Sequence, residues 1–169
     1  MDKTYLEKVT DANRLAFINL FNLYHHDLAE YIPDFYQTLD EEGYYDRGAV
    51  LEILEMPPNE VQPYIIRHMD KIAGLVVLTF PPYVKPGCDY CILEIFVANS
   101  HRGKGIARAA CRILFNEFPG RYCIQVLQSN TLALAYWDSL IAREGRLIQR
   151  YNDKESLITY EFEVKVCQQ

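Results

Sequence analysis

The sequence predicts an α/β (α+β) domain whose mixed sheet is covered by helices. Runs rich in β-branched and aromatic residues alternate with segments in which apolar residues recur at helical spacing. Strand–helix–strand units favour parallel pairing, whereas the predicted hairpins pair antiparallel, so one sheet should contain both. The 169 residues suffice for one domain with a sizeable core, predicted to span 1–169.

The N-terminal half opens with one strand and one long helix. KTYLEKV (3–9) is the strand, and residues 12–31 carry apolar groups at helical spacing, with Asp11 as the candidate N-cap and Pro33 as a stop. An irregular stretch (32–59) follows, with one helical piece at 47–55. Two β-rich runs then flank Asp70, which predicts a hairpin.

The C-terminal half alternates strands and helices. The predicted order is a loop (81–87), a strand (88–97), a helix (103–118), the strand RYCIQVLQ, a helix opened by Ser129 or Asn130, and a closing hairpin. The last strand, 155–166, is long enough that an unpaired edge there would invite a partner. A homodimer is therefore among the expectations.

Charge is divided unevenly along the chain, whose net charge is −6. Residues 1–60 carry 13 acidic and 4 basic side chains, whereas residues 61–169 carry 10 acidic and 13 basic ones. Two interpretations stay open, a solvated acidic face or a site whose two ends meet differently charged ligands. The net negative charge of the chain argues against nucleic acid as a partner. Without an apolar run of about 18 residues or a signal-peptide layout, we expect a cytoplasmic protein with no membrane partner.

The cysteines show no spacing of a disulfide framework. They are Cys88, Cys91, Cys111, Cys123 and Cys167. Cys88 and Cys91 form a lone CxxC, with no second pair at zinc spacing. Reduced thiols are the favoured interpretation over a redox site, and no metal site is predicted.

Residues 101–110, HRGKGIARAA, place two glycines and several cations at the start of a helix. The first turn of a helix has backbone N–H groups without partners, and the helix dipole adds partial positive charge there. Gly103 and Gly105 permit positive φ and close approach to the main chain, and Arg102, Lys104 and Arg108 add charge. Such a turn can bind a phosphate or diphosphate, although a glycine-capped surface turn is an alternative.

Neither common nucleotide-binding motif fits this turn. A Walker A loop needs GxxxxGK followed by a hydroxyl residue, and both are missing. The dinucleotide motif GxGxxG is met only in part, because Arg108 stands at what would be its third glycine.

Arg102-Gly103-Lys104-Gly105-Ile106-Ala107 resembles the R/Q-x-x-G-x-G/A signature of the GNAT superfamily of acyl-CoA-dependent N-acetyltransferases. The preceding strand LEIFV and the helix opening Asn130-x-x-Ala133 are similar to that family's neighbouring motifs, in the same order. The stretches FNLYHHDLAEY, EIFV, NEFPG and AYW resemble a bacterial subgroup of predicted acetyltransferases. The resemblance implies a mostly antiparallel central sheet of about seven strands with helices on both faces.

The resemblance also implies a site for acetyl-CoA. The main chain of 102–107 would bind the diphosphate of coenzyme A, with added charge from Arg102. The strand end Ile95-Phe96-Val97 would pair with the pantetheine arm, and the opposite wall would come from Asn130, Ala133 and Trp137. Acetyl transfer to a primary amine by direct attack in a ternary complex is the implied reaction.

Two positions depart from the family pattern. Many members have Tyr seven residues after the motif Asn, as proton donor to the leaving thiolate; here Trp137 stands there, with Tyr136 beside it. Many also have Glu five residues before that Asn, where this chain has Gln125. The remaining candidate base is Glu94, because burial beside Leu93 and Ile95 would raise its pKa, although a structural Glu is an equal alternative. Tyr136 is the candidate acid.

The acceptor side is assigned to the end of the first helix and the loop after it. Tyr24, Asp27 and Tyr31 are its candidate residues, within a stretch that also has His25, His26, Glu30, Phe35 and Tyr36. Aromatic and acidic groups together favour an ammonium-bearing small molecule or peptide. For His25 and His26, an exposed pair is the favoured interpretation over a proton relay, because neighbouring helix positions point apart. The alternative function is a non-catalytic acyl-CoA-binding sensor module.

Overall fold

The computed structural model describes residues 3–153 and 156–165. Its strands are β1 (Thr4–Lys8), β2 (Val61–His68), β3 (Lys71–Thr79), β4 (Tyr90–Val97), β5 (Gly120–Leu127), β6 (Arg146–Asn152) and β7 (Leu157–Val164). Its helices are α1 (Arg14–Leu28), α2 (Arg47–Glu55), α3 (Ile106–Glu117) and α4 (Thr131–Glu144), with a short 3₁₀ turn at Asn99–His101. Cys167 lies outside the described residues. Among the helices described, none is long and apolar enough to span a membrane.

Seven strands form one sheet in the order β1-β2-β3-β4-β5-β7-β6. Every neighbouring pair is antiparallel except β4 and β5, which are parallel. The mixed, mostly antiparallel sheet expected from the sequence is confirmed. The expectation of an edge at the last strand is wrong, because β7 lies between β5 and β6; the described edges are β1 and β6.

Helices cover both faces of the sheet, as expected. One face packs α3 and α4 on the sheet through residues such as Leu114 and Leu140, and the other packs α1 and α2 through residues such as Phe17 and Val50. Alternation along β3 serves both layers: Val76 belongs to the α3–α4 core, and its neighbour Val77 belongs to the α1–α2 core.

β4 and β5 pair only where both begin. Their register joins Tyr90 with Tyr122 and Cys91 with Cys123, after which the described parts of the two strands separate. Leu93 is an extra residue in β4, since Val77 opposes Glu94 while Leu78 opposes Ile92. A bulge of this kind bends a strand and reverses which face its later side chains occupy. The sheet therefore has a gap between β4 and β5 that opens toward the end of β4.

Two helices begin later than the sequence predicted. α1 starts at Arg14, and its preceding residue is Asn13 rather than Asp11; the Asn13 side chain instead bonds Thr10 N–H and Lys8 C=O. α3 starts at Ile106 because Gly105, directly before it, has φ +73°, outside the helical region. The helical piece at 47–55 and the Asp70 hairpin are confirmed.

Candidate functional site

The turn before α3 is an open cradle of backbone. Gly103 and Gly105 have φ of +75° and +73°, the left-handed region that favours glycine. A Cβ added at either position would meet no atom within 4 Å, so the space above the turn is free. Gly105 is the N-cap of α3 and has no side chain to bond the first N–H groups.

The N–H groups of residues 103–108 are free to bind an anion. Ala109 N–H is the first amide of α3 that bonds back to the turn, at 3.0 Å from Gly105 O, and no acceptor for 103–108 is found among the described residues. Unpaired amides at a helix N-terminus, with the dipole behind them, form an anion-binding site without any side chain. This backbone geometry is compatible with the diphosphate cradle expected from the sequence, and its role stays a prediction.

The cations expected to support this cradle are bonded to protein groups. Arg102 forms an ion pair with Asp27 of α1 and donates from Nε to Val97 O at 2.8 Å. Lys104 Nζ donates to Ser100 O at 3.0 Å, and Arg108 pairs with Glu144 of α4 at 2.6 Å. Each of these three cations is thus held by protein groups near the turn.

The gap between β4 and β5 lies directly before this cradle. Ile95 and Val97 pack toward the α3–α4 core, whereas Phe96 is part of the α1–α2 core. On the other side of the gap, Asn130 accepts a hydrogen bond from Ala133 N–H at 3.0 Å, and so caps α4. Peptide groups along the open side of β4 are available for an extended, amide-bearing chain.

Trp137 and Tyr136 both pack in the layer between the sheet and helices α3 and α4. Trp137 is 5% exposed and belongs to that core. The Tyr136 hydroxyl lies 3.5 Å from Cys111 Sγ of α3, and its ring packs edge-on against Trp137. The structure does not place Tyr136 beside Glu94, because Glu94 faces α1 on the other side of the sheet.

Glu94 contacts α1 because of the bulge at Leu93. Without the extra residue, Glu94 would share a face with Ile92 of the α3–α4 core; with it, the carboxylate accepts a hydrogen bond from the Tyr24 hydroxyl. Burial raises the pKa of Glu94 to about 7, and the hydrogen bond from Tyr24 acts in the opposite direction. Burial and the nearby Glu94 charge raise the pKa of Tyr24 well above its ordinary value, so its hydroxyl stays protonated.

An aromatic wall surrounds Glu94 on the α1 side, formed by Tyr24, His25, Tyr36, Tyr45 and Phe96. The Tyr36 ring stacks on His25 at 4.8 Å and meets Tyr45 edge-on, and Tyr24 packs on Phe96 at 6.0 Å. Burial, then the charges of Glu94 and Asp46, raise the pKa of Tyr36 to about 12. His25 is only 4% exposed, and burial lowers its pKa. The favoured interpretation of an exposed histidine pair is thus wrong for His25 and right for His26.

The other two acceptor candidates, Asp27 and Tyr31, lie near the C-terminal end of α1 and contact other parts of the chain. Asp27 is held by Arg102, and the Tyr31 backbone carbonyl lies 3.5 Å from Ser129 Oγ at the start of α4. A cleft of about 480 Å³ opens beside Asp27. Its lining residues are Leu23, His26, Asp27, Phe96, Ala98, Asn99 and Ser100. The cleft reaches from α1 to the turn that leads into the cradle.

Sequence reasoning missed three contributors to this site. Leu93 gives no signal as a bulge residue, because its apolar character suits an ordinary strand. Tyr45 and Asp46 lie in the irregular stretch, and only the N-cap position of Asp46 before 47–55 could have placed it. Among the described residues, no group of three or more His, Cys, Asp or Glu side chains could hold a metal ion.

Comparison with known proteins places this chain in one family. The profile of the Acetyltransferase (GNAT) family matches residues 20–140. A search among curated proteins finds no match. Solved structures with the same fold include an acetyltransferase of Thermus thermophilus, with a TM-score of 0.68 and 16% identity over 96% of this chain and 97% of that one.

Two further solved structures share the same fold. A GNAT-family acetyltransferase of Streptococcus agalactiae has a TM-score of 0.68 and 13% identity, over 96% of this chain and 95% of that one. A Klebsiella pneumoniae protein assigned as an acyl-CoA N-acyltransferase has a TM-score of 0.58 and 13% identity, over 98% of this chain and 99% of that one.

The fold is shared with these acyltransferase structures. The chain belongs to the Acetyltransferase (GNAT) family, because the family profile covers most of its length. Membership implies acyl transfer with acyl-CoA as co-substrate and a small-molecule or peptide acceptor.

Proposed function

We propose that this protein transfers an acetyl group from acetyl-CoA to a primary amine by direct attack in a ternary complex. The observation that carries the proposal is the position of Glu94. Its carboxylate lies beside the gap between β4 and β5, faces the aromatic wall, and has a pKa raised to about 7 by burial. A base poised near neutral pH suits the removal of a proton from an ammonium.

Acetyl-CoA would be bound by backbone groups. The free N–H groups of 103–108 suit the diphosphate, and Ile95–Val97 offers peptide groups to the pantetheine arm. Asn130, Ala133 and Trp137 would form the opposite wall, and Asn130 fixes the start of α4. Since these contacts are mostly main-chain, few particular side chains are needed in the sequence.

The chemistry requires a neutral amine, and alkylamines have a pKa of about 10. Glu94 would first accept a proton from the bound ammonium, and the neutral nitrogen would then attack the thioester carbonyl. The C–N bond forms, the carbonyl oxygen becomes an oxyanion, and backbone N–H groups can stabilise that charge. When the C–S bond breaks, the nitrogen gives up its extra proton to water, and the thiolate of coenzyme A leaves and takes a proton from solvent. Tyr136 has no role in this scheme, because its hydroxyl contacts Cys111.

The acceptor is proposed to be a cation. Tyr36, Tyr24 and Phe96 offer ring faces, and Glu94 and Asp46 supply negative charge nearby. The acidic bias of residues 1–60 supports this assignment. A primary amine on a small molecule or peptide could approach through the cleft beside Asp27.

A second function, a non-catalytic acyl-CoA sensor, is favoured by one observation. The position at which many relatives place a tyrosine acid holds Trp137, which is buried in the core, and its neighbour Tyr136 contacts α3. A sensor would bind acetyl-CoA without turnover.

Thiol release from acetyl-CoA across a panel of amines separates the two functions. The panel should contain polyamines, amino acids, amino sugars and peptide N-termini, and calorimetry should measure acetyl-CoA binding in parallel. We expect at least one amine to accelerate thiol release well above hydrolysis. If acetyl-CoA binds but no amine accelerates thiol release, the result would contradict the enzymatic function and favour the sensor.

A further inference from the structure

Three thiols cluster at the closed end of the gap, and the proposed acyl transfer uses none of them. Cys91 and Cys123 are register partners on β4 and β5, and the Cys88 thiol lies against Cys123. Cys123 is 5% exposed and Cys88 is 6% exposed. All three are free cysteines.

The cluster is built into the sheet. Register places Thr79, Cys91, Cys123, Glu161 and Gln149 in one row across five strands, on the same face as Glu94. The loop 80–89 closes over this row, with Lys85 Nζ 3.1 Å from Glu161 Oε1 and Tyr83 O 2.9 Å from Thr79 Oγ1. Directly paired strand positions lie about 4.8 Å apart, within the Cα separations that a disulfide spans.

We propose that Cys91 and Cys123 form an oxidative modification site, in which a hydroperoxide oxidises Cys123 and Cys91 then closes a disulfide. In the first step the Cys123 sulfur attacks the peroxide, an S–O bond forms, the O–O bond breaks, and hydroxide leaves. In the second step the Cys91 sulfur attacks the sulfenic acid, the S–S bond forms, the S–O bond breaks, and water leaves with the thiol proton. The peroxide is reduced by two electrons and the two thiols are oxidised.

The surroundings distinguish the roles of the two thiols. Hydrogen bonding from the Cys91 thiol lowers the pKa of Cys123; the Lys85 backbone and Cys88 lower it further, and burial opposes them. The same hydrogen bond, followed by burial, raises the pKa of Cys91. Cys123 is therefore the thiolate that attacks, and Cys91 is the protonated partner that resolves.

A disulfide at this position would join β4 and β5 covalently at the point from which they diverge. Cys91 also lies near Glu94, whose charge contributes to the raised pKa of Cys91. The oxidation site and the proposed base thus share one side of β4.

Peptide mapping of the oxidised wild-type protein tests the proposal. The reduced protein is treated with hydrogen peroxide, alkylated, and digested with trypsin and with a protease that cleaves before Asp89, so that Cys88 and Cys91 fall in different peptides. We expect a crosslink between Cys91 and Cys123 that dithiothreitol reverses. Cys111 is the internal control, since burial raises its pKa to about 12. Cys123 should lose its free thiol about tenfold faster than Cys111.

Two results would overturn the site. One is equal loss of free thiol at Cys123 and Cys111; the other is a wild-type crosslink that joins Cys123 to any cysteine other than Cys91. A Cys88→Ser/Cys91→Ser variant adds a second measurement: serine keeps a hydroxyl that can donate to Cys123 but cannot form a disulfide, so Cys123 should persist as a sulfenic acid that dimedone labels. An unlabelled Cys123 in a folded double variant would also contradict the proposal. Neither measurement depends on acetyl transfer, so the oxidation site and the proposed enzyme can fail separately.

Discussion

The pKa of Glu94 results from two opposing contacts at one side chain. Burial disfavours its charged form and raises the pKa, whereas the hydroxyl of Tyr24 donates to the carboxylate and favours the charged form. Because a base must be deprotonated to act, the active fraction of the enzyme should rise with pH through about 7. A carboxylate with an ordinary pKa would give no such rise at neutral pH.

Glu94→Gln removes the proposed base while keeping the size of the side chain. We expect kcat to fall by about 10²- to 10⁴-fold, the usual contribution of a general base. The affinity for acetyl-CoA should be unchanged, because the cradle is made of backbone. Steady-state kinetics and calorimetry measure the two effects separately. Glu52→Gln, an exposed change on α2, is the control and should leave both unaltered. Full turnover in Glu94→Gln would eliminate Glu94 as the base.

Tyr24→Phe tests the hydrogen bond to Glu94 through the pH profile. Since that bond lowers the pKa of Glu94, its loss should raise the pKa, and the acidic limb of kcat/KM should move to higher pH. Tyr45→Phe is the matched control: it removes a hydroxyl from the same aromatic wall, but that hydroxyl contacts His26 rather than Glu94. An acidic limb that stays in place in Tyr24→Phe, or moves to lower pH, would contradict this coupling.

The bulge in β4 directs Glu94 toward α1 and so creates the proposed catalytic site. The sequence predicted β4 and the helix after it, since their apolar spacing is regular, although α3 begins at Ile106 rather than at residue 103. It did not predict the extra residue at Leu93, because a bulge leaves the composition of a strand unchanged. The unpaired side of β4 and the direction of Glu94 both follow from this irregularity. Periodicity alone could therefore locate Glu94 in the chain but not assign its face.

Gly74 is where β3 lies too close to β4 for any side chain. A Cβ there would lie 2.0 Å from Phe96 O, a backbone atom that cannot move alone. Gly74→Ala should lower the free energy of unfolding by about 3 kcal/mol in urea titrations. Gly48→Ala is the control, because its Cβ would meet only Asp46 Oδ1 at 3.5 Å within helix α2, where alanine is favoured. Equal stability of the two variants would contradict the close approach.

At the scale of the whole molecule, β4 joins the two proposed substrate sites. The cradle lies at the end of β4, and the aromatic wall and acidic segments cover the α1–α2 face. The family motif located the proposed cradle in the sequence, because its glycines are close together in the chain. The Arg102–Asp27 ion pair joins residues 75 positions apart, so no local pattern could show that these two candidates neutralise each other.

The most direct test of the account is calorimetric titration of acetyl-CoA into two glycine variants. Gly105→Asp adds a negative charge to the cradle, and Gly87→Asp adds the same charge at another exposed glycine of positive φ, before the opposite end of β4. Asp tolerates this backbone region, so both variants should fold. We predict that Gly105→Asp weakens acetyl-CoA binding at least tenfold, about 1.4 kcal/mol, and that Gly87→Asp binds like the wild type. Unchanged affinity in Gly105→Asp would contradict the assignment of residues 103–108 as the diphosphate site.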